Sequence, residues 1–541
     1  MKFSTPSGYR ILFSTLFLIT VSVFWYGVFR DITLPGLYMD GVNPDYIAAS
    51  LLHPEMKNPA WTLPTTCFPI LGSLYHGVQN IYAGLPLFYL FGTNIITLRI
   101  AQSLFGAMIV GLVYLIAHRM TQNLLLSFIA ALCLATDIAL IASFRTQNYI
   151  ILGGMMWLLL AVFPLSKTHE DQYSVKQLFS SGIFYGLSIY GYFVFAFFFP
   201  VFLFYTVRIS TQQRKYRNSL IWCAGVATGL LPYVLGYLSM GIALGSIQGF
   251  INFLIGTTKS LNPLSSTLSL PLAYLYSFDM AHLAVTNGGN ELMILGQTVT
   301  MNPLVNAKFS ALLISVSALL FLSLFRYFRG SKLRQESFFP LELLPCSYLL
   351  VAGLLGQRLW AHHFSVITPL LYLLSAQLIA QLCFKFEAPR SAGRWSKLAN
   401  VVILLLGICV ISGNLYQQNH FFAKLEETGG TGKMPVAINE MASEALTQHR
   451  NEFYIFPEWG FMMPFAFLTG NQIAYAVDVN EFTKNPDKTN FKRVNVPYWD
   501  QKDTEKYQAQ LTSLGALNTE VKTYMRKDGQ PAFYLLSATL P

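Results

Sequence analysis

Apolar stretches long enough to cross a bilayer recur from residue 11 to residue 417, and they leave few folds open. A hydrocarbon core about 30 Å thick takes roughly 20 helical residues to span. Within it every backbone N–H and C=O must be paired inside the protein, which selects helices for segments of this length. We place spans near 11–29, 98–117, 123–143, 148–165, 178–191, 193–207, 219–242, 308–325, 340–356, 364–384 and 398–417. Leu178 to Val207 is apolar for 30 residues, about 45 Å as helix and too long for one span. Both of its flanks are basic, so two short tilted helices broken around Tyr190-Gly191-Tyr192 are expected. Only 11% of residues are charged, where a soluble chain carries about a quarter. The fold class is therefore a polytopic α-helical membrane protein of about eleven spans.

Ile11 to Phe29 follows Lys2 and Arg10 with no small-residue cleavage site after it, which reads as a retained signal-anchor. The net charge of +10 suggests nucleic acid until its location is considered. Seventeen basic residues fall on one side of the spans, including Lys2, Arg10 and the RKYR run at 214–217. The other side carries five: Arg30, Lys57, Arg145, Lys259 and Arg358. By the positive-inside rule the N-terminus is cytoplasmic and the chain ends outside. The basic excess is a topology signal, and no nucleic-acid partner is expected. Five of the six cysteines lie in apolar spans and Cys67 is alone in its loop, so no disulfide framework or zinc spacing is visible.

Outside the membrane we expect loops 30–97 and 243–307, both belonging to a membrane domain 1–417, and a soluble α/β domain 418–541. The second half of the first loop, LYHGVQNIYAGLPLFYLFG, is aromatic yet interrupted by Gly77, Gly84 and Pro86, which suits interfacial helices. The second loop opens on the amphipathic SIQGFINFLIG and continues through Pro263 to the NGGN turn at 287–290. In the tail, NEFYIF, QIAYAV and AFYLLS read as strands and KDTEKYQAQLTSLG as a helix. Spacings of the GxxxG kind read as ordinary for spans.

Carboxylates are scarce: 12 of the 26 Asp+Glu lie in the first 417 residues, and Asp31, Asp40, Asp45 and Glu55 cluster directly after the first span. Charge concentrated beside lipid marks function. An external carboxylate can take a proton from an incoming hydroxyl or amine, and apolar walls would raise its pKa to a useful value. Asp40 is the stronger candidate base. Asp45 is the second, since an acid there could simply cap a helix beginning near Pro44. FRTQNY at 144–149 is a tight external turn, where either Arg145 pairs with Asp137 for structure, or Arg145 or its polar neighbours Gln147 and Asn148 face the Asp40 cavity. QRLWAHHFSVITP at 357–369 brings Arg358 beside His362 and His363, a plausible grip on a lipid-linked phosphate, with interfacial anchoring as the blander reading. Adjacent histidines on a helix point in different directions, so a metal held by both is not expected. Without a phosphate-cradling glycine-rich Lys motif, an ATP-driven pump is disfavoured.

These motifs together resemble the GT-C superfamily of integral-membrane glycosyltransferases, most closely the protein O-mannosyltransferases and the lipid A aminoarabinose transferases. The resemblance is carried by YMDGVNPDYIAASLL after the first span, by GLPLFYLFGTNIITLRIAQSLFGAMIVGLVYLIAHRM at 84–120, and by FRTQNYIILGG and HHFSVITPLL. It implies transfer of a sugar from a polyprenyl-phosphate donor to a glycan, lipid or protein acceptor outside the cytoplasm, with Asp40 as the activating Asp. Many members place Asp-Glu together here, whereas Gly41 follows Asp40, so the choice between Asp40 and Asp45 stays open. Members often have an Asp a few residues after the Arg of this outer turn, and Asn148 is the polar residue near that place. Prenyl phosphate would sit near Arg358 or Arg145. A divalent metal is compatible with this chemistry, though no ligand cluster calls for one. The expected setting is a bacterial inner membrane. The alternatives are a transporter or flippase of lipid-linked sugars, disfavoured by the lack of a duplicated half, and a non-catalytic assembly partner.

Overall fold

Helix dominates the computed structural model, which describes residues 6–55, 58–59, 62–66, 68–166, 173–212, 216–261, 268–298, 303–328, 339–383, 392–484 and 491–540. Lys2, Lys57, Cys67, Pro263 and residues 214–215 of the RKYR run lie outside them, as does the side chain of Lys259. The first helix, α1 (Pro6–Phe29), leads into a loop with two short helices, α2 (Met39–Val42) and α3 (Ile47–Leu52). A small hairpin follows, β1 (Leu71–Ser73) with β2 (His76–Gly77), then α4 (Gln79–Phe91). Asn94 starts α5 (Ile95–Thr121) by accepting from the Thr97 N–H at 2.9 Å, and Asn123 does the same for α6 (Leu124–Ala135) at the Leu126 N–H. At Asp137 the chain turns by 53° into α7 (Ile138–Ile141) and a 3₁₀ turn, before α8 (Asn148–Val162).

The long apolar run divides where the flanking charges require. A Ser174–Gln177 capping box opens α9 (Val175–Gly191), and Tyr192 is extended at φ −162°, ψ 137°. A 3₁₀ segment, Phe193–Phe198, then enters α10 (Phe199–Gln212). Next come α11 (Arg217–Gly229) and α12 (Leu231–Ala243), bent by 41°, then α13 (Ile247–Leu261), α14 (Leu270–Val285) and α15 (Gly288–Leu295). The last membrane helices are α16 (Pro303–Phe328), α17 (Leu343–Leu355), α18 (Ile367–Cys383) and α19 (Ala392–Thr428). Among the described residues, seven helices are long and apolar enough to cross a membrane, or nine if each bent pair is one span. The chain is a multi-pass membrane protein.

The small-residue spacings prove less ordinary than expected. Gly182 and Gly186 of α9 face Gly225 and Gly229 of α11, and a Cβ at any of them would come within 2.4 Å of a facing carbonyl oxygen. Four glycines thus let two helices touch backbone to backbone, the small-xxx-small solution to packing in lipid.

Beyond α19 the chain forms α20 (Ala437–Gln448), β3 (Phe453–Ile455), α21 (Met462–Leu468), β4 (Tyr475–Ala476), α22 (Val479–Lys484), β5 (Arg493–Tyr498), α23 (Thr504–Ser513), β6 (Leu517–Met525) and β7 (Pro531–Thr539). One sheet of order β4-β3-β5-β7-β6 results, with β3 parallel to both its neighbours and β7 antiparallel to both of its own. Sequence reading finds β3, β4, β7 and α23 but not β5 and β6. Most of β6 is exposed, so it lacks the apolar alternation that marks a strand. The first loop and the tail share one core, in which Leu37, Met39 and Tyr46 pack with Met441, Phe461 and Phe465. The loop that carries Asp40 is thereby held between the helical body and the tail.

Candidate active site

Two buried guanidiniums shape that loop. Arg99 of α5 donates to the carbonyls of Ile32, Leu34 (2.7 Å) and Pro35. Arg145 donates to those of Asp31 (2.9 Å), Leu34 (2.7 Å), Val28 (3.1 Å) and Arg30, and lies 4.7 Å from the centre of the Phe422 ring. The rigid fork of an arginine can satisfy several converging carbonyls at once, which a loop leaving a helix exposes. From this anchored turn, α2 projects Asp40 in its first turn. A glycine-rich strap from the tail covers the same turn. Gly36 donates its N–H to the Met434 carbonyl at 3.0 Å, and a Cβ at Gly36 would lie 2.0 Å from the Pro435 oxygen, so only glycine allows this approach.

Asp40 opens into a cavity of about 710 Å³ that also receives Arg358, His362 and His363, within the usual range for a small-molecule site. The last three reach it because α17 stops at Gly356, whose φ of 55° and ψ of −133° a side chain would resist, and the chain turns through two 3₁₀ segments before α18. Arg358 is exposed to the cavity, and no ion pair engages it among the described residues. In the 3₁₀ segment the two histidine rings lie side by side, with centroids 3.9 Å apart and planes tilted by 36°, where a helix was expected to point them apart. The Trp360 N–H donates to His363 Nδ1 at 3.0 Å, so the neutral ring carries its proton on Nε2 and donates it to the Tyr192 hydroxyl at 3.2 Å. Gln147 Nε2 donates to His362 Nδ1 at 2.7 Å. Of the FRTQNY turn, then, Gln147 faces the cavity.

Burial pushes the Asp40 carboxyl above the ordinary carboxylate range, while the Tyr38 hydroxyl and the positive charge of Lys433 pull it partly back. His76 lies on the wall with its pKa lowered to about 4 by burial, so it is neutral at pH 7. It stacks on Tyr192 with centroids 5.8 Å apart and planes 12° apart. Tyr192, Tyr75 and His76 are site residues that sequence reasoning missed. A signal existed in the break at Tyr192, because non-helical backbone at membrane depth is tolerated where it lines a cavity. Its cost is met locally: the Phe193 N–H donates to the Tyr75 carbonyl at 2.9 Å.

Three expected residues lie elsewhere. Arg145 is occupied by backbone carbonyls and lines no part of the cavity; its suggested partner Asp137 pairs instead with Lys308 at 2.8 Å. Asn148 is buried, donating to Ser143 Oγ and Asn290 Oδ1, both at 3.1 Å. Asp45 is buried behind the wall, 3.3 Å from Gln102 Nε2, with its carboxyl raised by burial to about 6. It caps nothing, since α3 begins at Ile47 without a side-chain cap. Among the described residues, no group of three or more His, Cys, Asp or Glu is arranged to hold a metal.

The family model for dolichyl-phosphate-mannose-protein mannosyltransferases matches residues 85–237. No curated protein matches the sequence. Among solved structures, ArnT from Cupriavidus metallidurans bound to undecaprenyl phosphate superposes with a TM-score of 0.56 at 12% identity, covering 98% of both chains. Its apo state gives 0.56 at 13% identity, again covering 98% of each. The archaeal oligosaccharyltransferase AglB from Archaeoglobus fulgidus gives 0.49 at 14%, covering 93% of this chain and 71% of that one.

Proposed function

We propose that this chain, which belongs by fold to the GT-C superfamily of membrane glycosyltransferases, transfers a sugar from a polyprenyl-phosphate donor to an acceptor at the extracytoplasmic face. The N-terminus is then cytoplasmic, and residues 418–541 form the outer domain. The observation that carries this reading is one cavity joining a carboxylate, Asp40, to a guanidinium, Arg358, that no ion pair engages among the described residues, beside two histidines. The undecaprenyl phosphate bound by the structurally similar ArnT supports the donor class.

In this scheme Asp40 accepts the proton of the acceptor hydroxyl or amine as its oxygen or nitrogen bonds to the anomeric carbon. The bond from that carbon to the phosphate oxygen breaks, and the electron pair leaves on the prenyl phosphate. Arg358 stabilises the charge developing there. His362, with Nδ1 occupied by Gln147, offers its Nε2–H to the same phosphate. A single displacement inverts the anomeric centre. Asp45, buried away from the cavity, holds the wall and takes no proton from substrate.

Mass spectrometry of lipid co-purifying with the protein tests this directly. The wild type is expected to carry bare polyprenyl phosphate, and Asp40→Asn the sugar-loaded form it cannot turn over. Prenyl phosphate absent from both would remove the donor assignment, and identical bare lipid in both would remove Asp40 as base.

A further inference from the structure

The sheet of the tail ends on an open edge. β6 is last in the strand order, β7 holds one of its sides, and among the described residues no strand pairs with the other. Such an edge presents a row of N–H and C=O groups to any strand that can lie beside it. The register of β6 on β7 shifts on either side of Glu520–Tyr524, and between those points it is regular.

Within that run the charges match their own reversal. Glu520 and Lys522 flank Val521, and all three are exposed. Let a second copy of β6 lie antiparallel, with Val521 against Val521. Glu520 then stands opposite the partner's Lys522, and Lys522 opposite the partner's Glu520. Residues on one face must meet residues on the same face, so the register can move only by centring on another residue. Centred on Glu520 it sets two glutamates face to face, and centred on Lys522 two lysines. Like charges directly opposite are destabilising, which selects the register on Val521. Charges that only shield an edge need no such match.

Each charge also has a neighbour of opposite sign in its own chain. Arg493 lies 2.9 Å from Glu520, and Glu444 lies 2.6 Å from Lys522. Joining two edges lines up Arg493, Glu520, the partner's Lys522 and the partner's Glu444 in alternating sign, twice over. Isolated surface pairs contribute little, whereas a network of charges contributes more.

The faces of the sheet fit the same arrangement. Tyr524, Phe533 and Leu535 pack in the core shared with the first loop, while Leu536 and Ala538 pack with Tyr507 and Leu511 of α23. One face is thus turned towards the helical body. The two-fold axis relating antiparallel neighbours in a sheet runs perpendicular to it, so both copies keep that face on one side, as a common bilayer requires. We infer that β6 is the interface of a two-fold dimer of this chain, in which two five-stranded sheets join edge to edge.

Cysteine cross-linking of the full-length chain in isolated membranes tests this. Directly opposite residues lie about 4.5–5.5 Å apart between Cα atoms, within reach of a disulfide. Val521→Cys, oxidised with copper phenanthroline, should give a dimer well above the background of the wild type. It should also exceed that of Asn480→Cys, an exposed position on α22 beside β4 at the far edge of the sheet. In the Val521→Cys chain, Glu520→Lys alone and Lys522→Glu alone should each lower the dimer by about tenfold, since like charges then meet at both pairs. Co-expressed with different tags, those two variants restore opposite charges, and a mixed dimer should return. Its return would also show that both variants fold. Val521→Cys no better than Asn480→Cys, an adduct with a different protein instead, or a mixture no better than the single variants overturns the dimer. Asp40→Asn should leave the cross-link unchanged, so the dimer stands or falls apart from the transferase reading.

Discussion

At the scale of single residues, the distinction between Asp40 and Asp45 comes from what surrounds each carboxyl. Asp40 must be ionised to act as base, and its pKa lies above the ordinary carboxylate value because of burial. The acid limb of kcat/KM should therefore rise with pH through a point above that value and flatten beyond it. Lys433→Ala should move the limb to higher pH, since the lysine charge favours the anion; a limb that stays in place would detach Lys433 from the site. For Asp45 the linkage runs through stability. Its folded-state pKa is about 6 against an ordinary 3.8. Between the two the unfolded chain binds fewer protons, so stability falls as pH rises from 3.8 to about 6 and is flat above. Asp45→Asn removes this loss and should raise Tm at pH 7, by the equivalent of at most ~3 kcal/mol. The gain should vanish near pH 4. A lower Tm at pH 7 would mean that the bond from Gln102 outweighs the burial of the charge.

At the scale of elements, α9 and α11 depend on four glycines that bring backbones into contact. Gly186→Leu has no room, with the Val226 carbonyl oxygen 2.4 Å from the new Cβ. The two helices must separate, at a cost of about 1–3 kcal/mol or more for overpacking. Because the break at Tyr192 follows α9 directly, lower thermal stability should come with weaker donor binding. Full stability in that variant would contradict the packing described. Here pattern alone under-reads the chain: GxxxG spacing is common in spans, and only the facing helix shows that this pair interlocks.

For the whole molecule, the shared core of first loop and tail makes seating of the tail a condition for the shape of the site. The strap at residues 429–436 lies against Gly36 on one side, while the Thr431 N–H donates to the Ile294 carbonyl at 2.8 Å on the other. Gly36→Val would drive a side chain into Pro435. We expect limited proteolysis to cleave between residues 428 and 437 in that variant and not in the wild type, with transfer activity lost alongside. Protection equal to the wild type would show that the strap is not what holds the tail.

Helical membrane architecture was legible in the sequence because lipid imposes one rule on every segment, and apolar length with flanking charge reports obedience to it. The break at Tyr190-Gly191-Tyr192 followed from the same rule, whereas the three tail strands showed through their own apolar patterning. Asp40, Arg358, His362 and His363 could be picked out because charge and histidine beside lipid are rare. Where those groups meet was decided by tertiary structure. Arg145 and Asp137 are eight positions apart in the chain, yet one clamps carbonyls near residue 30 while the other pairs with Lys308. Hydrogen-bond partners from distant segments determine which buried charges face a cavity and which hold the wall behind it, and no local pattern encodes that choice.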